Sequence, residues 1–267
     1  MYDRILLVGC GNMAGAMLRG WLAGGPPAER FTVADPAARD VPPGVRALAA
    51  IPAEGAFDAI LLGIKPQRLD EVAPKVAPLT GPDTLLVSIL AGVELEVLAR
   101  HFPRARGLLR VMLNLAAALG KSPLALAGHG LDAPTRAAAE ALLAPLGTPE
   151  WIDERAFDLV TALAGSGPAF VYRFIDALAG AAAELGLPHE QAARLALATV
   201  EGAAALAAGA DVDPAELGRR VASPGGVTQA GLDVLDRDAR IQELLRDTLR
   251  AARDRSAAMA AAARGEG

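Results

Sequence analysis

The first half of the chain alternates short apolar runs with segments of helical periodicity. The runs are almost continuously apolar, which is typical of parallel strands whose two faces are both covered. This alternation predicts an α/β fold with a doubly wound, Rossmann-like sheet. The predicted strands are residues 4–8, 31–34, 45–48, 57–64, 84–89, 107–112, 124–127 and 150–152, and the helices between them end near residues 23, 76, 101 and 143.

The pattern changes in the second half, where no stretch is typical of a strand. Asp213 followed by Pro214 indicates a helix start, with an N-cap side chain and a proline in the first turn. We therefore expect two domains, residues 1–153 with the sheet and residues 154–267 with helices only. Residues 264–267 are expected to fray. The predicted helices are 157–164, 169–185, 190–208, one that opens at 213, 228–235 and 239–262.

A glycine-rich turn joins the first predicted strand to the first predicted helix. Gly9 lets the chain turn tightly, Gly11 lets the backbone approach a pyrophosphate, and Ala14 keeps helix and strand close. The helix N-terminus adds unpaired N–H groups and a partial positive charge. This context favours dinucleotide binding over an ordinary turn. The candidate contacts are Val8, Gly9, Cys10, Gly11, Asn12, Met13 and Ala14.

Composition excludes several classes of function. The net charge is −5 and the pI is near 5.3, without a basic stripe, which argues against a nucleic-acid partner. Cys10 is the single cysteine, so an intramolecular disulfide or a cysteine-based metal cluster is excluded, and we interpret Cys10 as a small filler residue. No uncharged apolar run reaches the length of a membrane span, and the N-terminus lacks signal-peptide regions. We expect a cytoplasmic protein without a metal.

The choice of cofactor depends on the end of the second predicted strand. Asp35 lies about twenty residues beyond the glycines, where a carboxylate can bind the ribose 2′-hydroxyl and repel a 2′-phosphate. This favours NADH. Arg39 argues for NADPH, because a guanidinium can pair with that phosphate. A turn residue before Pro36 is the plain alternative for Asp35, and both NADPH and NADH stay candidates.

Later strands also end in residues that could border a cofactor at the carboxyl edge of the sheet. Pro66 fixes a helix start, the small residues Ala91 and Gly92 leave room for a ring, and the Asn114 amide could bond the nicotinamide or the substrate. A solvated lysine at a helix entrance explains Lys65 equally well. The candidates are Ile64, Lys65 and Pro66, then Ala91 and Gly92, then Asn114.

A second glycine loop lies directly before a predicted helix of the second half. Its exposed N–H groups form an anion nest that suits a small carboxylate. The Thr228 hydroxyl could bond a nitrogen or oxygen of the same substrate. A helix-to-helix linker with an N-cap fits the spacing equally well. The candidate substrate residues are Ser223, Gly225, Gly226, Val227, Thr228 and Asn114.

Taken together, and in their order along the chain, these motifs resemble those of the pyrroline-5-carboxylate reductase family over nearly the whole sequence. The most specific matches are residues 161–170, 186–188 and 223–232. The resemblance implies a Rossmann domain followed by an all-α dimerisation domain, with homodimers that interlock through their helical halves and often form decamers. It also implies reduction of L-1-pyrroline-5-carboxylate to L-proline by hydride transfer from NADPH or NADH, the last step of proline biosynthesis.

The resemblance also implies a role for each loop. Residues 9–14 would hold the pyrophosphate, and the turns at 65–66 and 91–92 would border the cofactor. The loop at Ser223 would bind the substrate carboxylate, and Thr228 would bond the imine nitrogen. Thr228 or a water near it would help supply the proton, so positioning would account for most of the rate effect.

One stretch departs from the family pattern. The family usually has Met-Pro-Asn-x-Pro after the sixth strand, whereas this chain has Met-Leu-Asn-Leu-Ala at 112–116. Loss of both prolines, at Leu113 and Ala116, should loosen or reshape the loop near the nicotinamide. A reductase of other cyclic imines is therefore the alternative enzyme. The non-enzymatic alternative is an oligomeric protein that binds a dinucleotide without catalysing a reaction.

Overall fold

The computed structural model describes residues 2–37 and 41–263, and the chain divides into two compact units. Unit 1 comprises Met1–Gly165 and Ala252–Gly267, and unit 2 is Ser166–Ala251. Two expectations from the sequence lie outside the described residues. The first is the role of Arg39 in favouring NADPH, and the second is the fraying expected at residues 264–267.

Unit 1 contains one eight-stranded sheet with the order β3-β2-β1-β4-β5-β6-β7-β8. All neighbouring strands are parallel except β6 and β7. The strand order reverses beside β1, which places a topological switch point between β1 and β4. The strands are β1 Ile5–Val8, β2 Phe31–Ala34, β3 Arg46–Leu48, β4 Ala59–Leu62, β5 Leu85–Ser88, β6 Gly107–Met112, β7 Ser122–His129 and β8 Gly147–Trp151.

Helices cover both faces of this sheet, as the continuous apolar strands predict. The α-helices of unit 1 are α1 Asn12–Ala23, α2 Leu69–Val76, α3 Leu95–His101, α4 Ala133–Leu143 and α5 Phe157–Val160, together with the end of the C-terminal helix from Ala252. Every residue of β1, β4 and β5 is buried. Trp21 and Met17 of α1 belong to the core on one face, and Val76 and Leu98 belong to the core on the other. The doubly wound sheet is confirmed.

The bounds of several predicted elements of unit 1 differ from the structure: the strand expected at 150–152 is Gly147–Trp151, and the strand expected at 57–64 is Ala59–Leu62. The strand expected at 124–127 extends over Ser122–His129, because its pairing with β6 is antiparallel and continues past the expected end. The helix expected at 157–164 is α-helical only to Val160 and continues as a π-helix, Thr161–Gly165. Helical periodicity cannot separate these two forms over one turn, because both place side chains at similar spacing.

Unit 2 is helical throughout, and no strand occurs after Trp151 in the described part of the chain. Its helices are α6 Gly167–Glu184, α7 His189–Ala208, α8 Pro214–Val221, α9 Val227–Asp236 and the first part of α10 Arg240–Ala263. Asp213 caps α8 as predicted, since its side chain accepts the Glu216 N–H at 2.7 Å. Among the described side chains, α6 buries Ala179 alone.

Candidate functional site

The glycine loop between β1 and α1 has the geometry that its sequence predicts. Gly9 has φ +86°, and a Cβ there would lie 2.9 Å from the Gly63 carbonyl oxygen, so no other residue fits without strain. Gly11 is the extended N-cap of α1, and no side chain among the described residues caps this helix. The first-turn N–H groups of α1 are therefore available to an anion. A Cβ on Gly11 would meet no atom within 4 Å, so the backbone is open to a pyrophosphate.

Close packing of α1 on the sheet depends on two small residues. Ala14 is buried, and a Cβ built on Gly63 would lie 2.8 Å from the Cβ of Ala14. The role expected for Ala14 is thus visible, but sequence reasoning missed Gly63. The available signal was a glycine directly after the buried strand β4, which pairs with β1.

The Asp35 side chain holds the end of β2 against the glycine loop. One carboxylate oxygen accepts the Cys10 N–H at 2.7 Å, and the other accepts the Ala37 N–H at 2.8 Å. The Gly9 N–H donates to the Ala34 carbonyl at 3.0 Å. Each carboxylate oxygen keeps a further lone pair, which can accept a ribose hydroxyl.

Cys10 lies inside this loop and is half-buried. Burial, and then the neighbouring Asp35 charge, raises the pKa of the Cys10 thiol. A protonated thiol is a poor nucleophile, which fits the interpretation of Cys10 as a small filler residue.

A cleft of about 630 Å³ extends from the glycine loop along one flank of α1. Its lining includes Gly15 and Arg19 from α1, and Val41 and Leu115 from other segments. Arg19 is the only charged residue of α1, and its guanidinium would lie 3.4 Å from a Cβ at Gly15. The missing side chain at Gly15 thus lets Arg19 fold back toward the loop. Within residues 2–37 and 41–263, Arg19 forms no ion pair.

Sequence reasoning missed Arg19 and Leu115 as lining residues. A single charge on the otherwise apolar α1 was the available signal for Arg19. No local pattern indicated that Leu115 borders this cleft, because Leu115 and α1 are far apart in the sequence.

The turns after β4 and β5 lie at the same carboxyl edge, because these strands are parallel neighbours. Lys65 is exposed and extended, and Pro66 opens a short 3₁₀ turn after it. Ile64 contacts the loop, since its Cγ2 lies 3.0 Å from a Cβ built on Gly9. Ala91 is exposed, and Gly92 has φ +73°, with the backbone of Ala260 close by.

Asn114 follows β6 and is 7% exposed. Its Oδ1 accepts the Ala116 N–H at 2.9 Å, and its Nδ2 donates to the Ala164 carbonyl at 2.9 Å. The Asn114 backbone N–H donates to Ser122 Oγ at 3.0 Å. Both polar atoms of this side chain are therefore bonded inside unit 1, whereas sequence reasoning expected them to face a ligand.

The second glycine loop lies in unit 2. Gly225 has φ +69°, and the Gly226 N–H donates to the Ser223 carbonyl at 2.9 Å, which closes a tight turn. Gly226 is the extended N-cap of α9, and no described side chain caps that helix. Val227 and Thr228 form the exposed first turn of α9, so their N–H groups are available to an anion.

The predicted site residues thus form two groups. Unit 1 contains the glycine loop with Asp35 and Ile64 in contact, and also the turns with Lys65, Pro66, Ala91, Gly92 and Asn114. Unit 2 contains Ser223 to Thr228 as one loop. In the part of the chain that the structure describes, no three His, Cys, Asp or Glu residues lie close enough to hold a metal ion. No described helix is both long and apolar enough to cross a membrane.

A doubly wound sheet with an uncapped glycine loop beside its switch point is typical of a dinucleotide-binding domain. Residues 154–259 match the family model described as pyrroline-5-carboxylate reductase dimerisation, and residues 4–92 match that of NADP oxidoreductase coenzyme F420-dependent. The chain is 37% identical over 265 residues to pyrroline-5-carboxylate reductase of Pseudomonas aeruginosa, covering 96% of this chain and 97% of that protein. The chain therefore belongs to the pyrroline-5-carboxylate reductase family, whose members are NAD(P)H-dependent oxidoreductases, and it carries the family's dimerisation domain.

Solved structures agree with this assignment. The pyrroline-5-carboxylate reductase of Coxiella burnetii has a TM-score of 0.86 at 27% identity, over 96% of this chain and 98% of that chain. The pyrroline carboxylate reductase of Plasmodium falciparum, solved with NADP bound, has a TM-score of 0.80 at 23% identity, over 97% and 98%. The second similarity establishes the shared fold.

Proposed function

We propose that this chain reduces L-1-pyrroline-5-carboxylate to L-proline with NADPH or NADH, as the last step of proline biosynthesis in the cytoplasm. The observation that carries this proposal is the open glycine loop with Gly9 at φ +86°, in a chain 37% identical to a pyrroline-5-carboxylate reductase over nearly its whole length. We assign residues 1–153 to cofactor binding and residues 154–267 to dimerisation and substrate binding.

The residues present fit a dinucleotide. Val8 to Ala14 would hold the pyrophosphate, because the loop offers N–H groups and no Cβ at Gly11. Asp35 would accept a ribose hydroxyl, and its charge would oppose a 2′-phosphate. The nicotinamide side would be bordered by the turns after β4 and β5. These turns contribute Ile64, Lys65, Pro66, Ala91 and Gly92.

The substrate would be held by the second glycine loop. The N–H groups of Val227 and Thr228 would orient the carboxylate, and the Gly226 N–H closes the turn on the Ser223 carbonyl. The Thr228 hydroxyl would bond the imine nitrogen. When bound, the nicotinamide would supply a hydride for the imine carbon. The proton on the imine nitrogen would come from solvent, through the Thr228 hydroxyl or a water beside it, so that the hydroxyl ends protonated. A protonated imine needs little further acid catalysis, so positioning would give most of the acceleration.

Replacing Thr228 with Ala tests the role of this hydroxyl. We expect turnover to fall by about 10²-fold, while dinucleotide affinity stays unchanged, because the residue would act on the substrate alone. Thr199→Ala is the matched control, since Thr199 is an exposed helical threonine whose Oγ1 bonds the Leu195 carbonyl at 2.8 Å. Equal turnover in both variants and the wild type would remove Thr228 from the mechanism.

The choice between substrates rests on the carboxylate. Turnover of pyrroline-5-carboxylate is compared with that of pyrroline lacking the carboxylate, using NADH and NADPH. A strong preference for the carboxylated ring supports the nest at Ser223 to Thr228. Equal turnover of the two substrates would favour a reductase of other cyclic imines. The absence of both prolines from the loop at 112–116 is the reason to consider this alternative. Dinucleotide binding without any turnover would favour the non-catalytic alternative.

The chain would act as a homodimer formed through the helical half, and the family resemblance implies that such dimers can assemble further into decamers. The dimerisation model over residues 154–259 supports self-association. The large exposed apolar side chains of α6 and α7 support it independently.

A further inference from the structure

Asn114 connects three segments of unit 1 that are distant in the sequence. Its backbone N–H reaches β7 at Ser122, its Oδ1 caps the 3₁₀ turn Leu115–Leu119, and its Nδ2 reaches the π-helix Thr161–Gly165. The Ala164 carbonyl that it binds lies in this π-helix, and Ala164 is 8% exposed. Nearly buried polar atoms with good hydrogen-bond distances contribute most when every partner is present.

The orientation of the Asn114 amide is fixed by these partners. Its oxygen faces the Ala116 N–H and its nitrogen faces the Ala164 carbonyl, both at 2.9 Å. The reversed orientation would place an NH₂ group against an N–H and an oxygen against an oxygen. The side chain therefore has one stable arrangement, and in that arrangement it points into the protein.

We propose that Asn114 is a positioning residue, which joins the end of β6 to the π-helix through its two side-chain hydrogen bonds. This deepens the proposed function and rests on it, because that function places the nicotinamide at this edge of the sheet. Fixing the backbone at Leu113 and Asn114 would keep the adjoining wall of the site in one position. The effect on the reaction would then come through geometry, without a contact to the reacting atoms.

Asn114→Asp tests the bond to the π-helix. The variant keeps the shape and the acceptor for Ala116, but it presents an oxygen to the Ala164 carbonyl. We expect faster amide hydrogen exchange over residues 157–165 and a kcat lower by about tenfold. We expect the KM for the dinucleotide to change less than about twofold, because Asn114 would not touch it.

Two results would overturn the positioning role. One is a dinucleotide KM raised about fivefold or more with unchanged exchange over 157–165, because it would make Asn114 a direct ligand. The other is unchanged exchange together with unchanged kcat. The exchange is measured on the protein without substrate, so it stays informative even if pyrroline-5-carboxylate proves not to be the substrate.

Discussion

At the scale of single residues, Asp35 combines a structural and an electrostatic task. Its two carboxylate oxygens accept N–H groups from Cys10 and Ala37, so it is fixed beside the glycine loop before any cofactor arrives. A fixed negative charge there should favour a ribose hydroxyl over a 2′-phosphate. Arg19 lies on the cleft that begins at the same loop and would attract a phosphate.

Asp35→Asn should therefore shift the cofactor preference toward NADPH. The ratio of kcat/KM for NADPH to that for NADH should rise about tenfold, which corresponds to about 1.4 kcal/mol of removed repulsion. Asp83→Asn is the control, because Asp83 is exposed just before β5, at the opposite edge of the sheet. An unchanged ratio in Asp35→Asn would show that this carboxylate does not distinguish a ribose 2′-hydroxyl from a 2′-phosphate.

Residues differ in how far their roles can be predicted from the sequence. Gly9 and Gly11 could be predicted, because their conformations depend on a motif of a few neighbouring residues. The partners of Asn114 could not, because Ala164 lies on another segment 50 residues away and only the folded chain brings it close. Arg19 is an intermediate case: its lone charge on the apolar α1 was visible in the sequence, but the cleft that it lines is formed with Val41 and Leu115.

At the scale of elements, α1 packs tightly against the turn Leu115–Leu119. Gly20 lies on the contacting side of α1, where an added Cβ would overlap the Ala117 carbonyl oxygen and lie 2.8 Å from Leu146 Cδ2. A backbone atom cannot move aside as a flexible side chain can. The length and periodicity of α1 were predictable, but this requirement for glycine in its interior depends on a partner from another segment.

Gly20→Ala should destabilise unit 1 by about 1–3 kcal/mol, even though alanine favours helices, because overpacking against backbone outweighs helix propensity. Both tryptophans, Trp21 and Trp151, lie in unit 1, so denaturant unfolding followed by tryptophan fluorescence reports on this unit. Gly81→Ala is the control, because a Cβ there meets no atom within 4 Å. Equal unfolding midpoints for the two variants would contradict the overlap.

A nearly buried ion pair connects β6, α3 and the segment after β8. Arg110 Nη1 lies 3.0 Å from Glu154 Oε1, which also accepts the Leu95 N–H at 2.8 Å at the start of α3. The Arg110 guanidinium lies 3.8 Å from the centre of the Phe157 ring. Burial lowers the pKa of Arg110, and Glu154 opposes this shift. The nearly continuous apolar run predicted β6 as a strand, yet it gave no indication that Arg110 within it carries a buried charge.

Glu154→Gln should isolate the contribution of this charge, because a glutamine oxygen can still accept the Leu95 N–H. We expect a loss of about 1–3 kcal/mol in the free energy of unfolding, below the value for a fully buried pair because Glu154 is 30% exposed. Glu96→Gln is the control, since its pair with Arg100 is exposed on α3. If both variants lose a similarly small amount of unfolding free energy, the charge of Glu154 does not stabilise the buried Arg110 guanidinium.

At the scale of the whole molecule, composition and pattern predicted a sheet followed by helices, and both parts are present. Periodicity could not predict which helical faces remain uncovered, because apolar faces look alike whether they pack within one chain or between two. Tyr172, Phe174 and Leu206 are all more than half exposed on α6 and α7. Isolated chains rarely leave so many large apolar side chains in water. These faces are therefore the expected contact between copies of the chain.

Charged substitutions on these faces should break the assembly. Phe174→Glu combined with Leu206→Glu should convert the protein to monomers in sedimentation velocity, because each glutamate would have to be buried without a partner. Leu119→Glu is the matched control, since Leu119 is 76% exposed in unit 1 and should keep the native mass. If the double variant sediments with the same mass as the wild type, the dimer uses another surface. If monomers form but the dinucleotide still binds with unchanged affinity, unit 1 binds the cofactor independently of dimerisation, as the location of the glycine loop within that unit predicts.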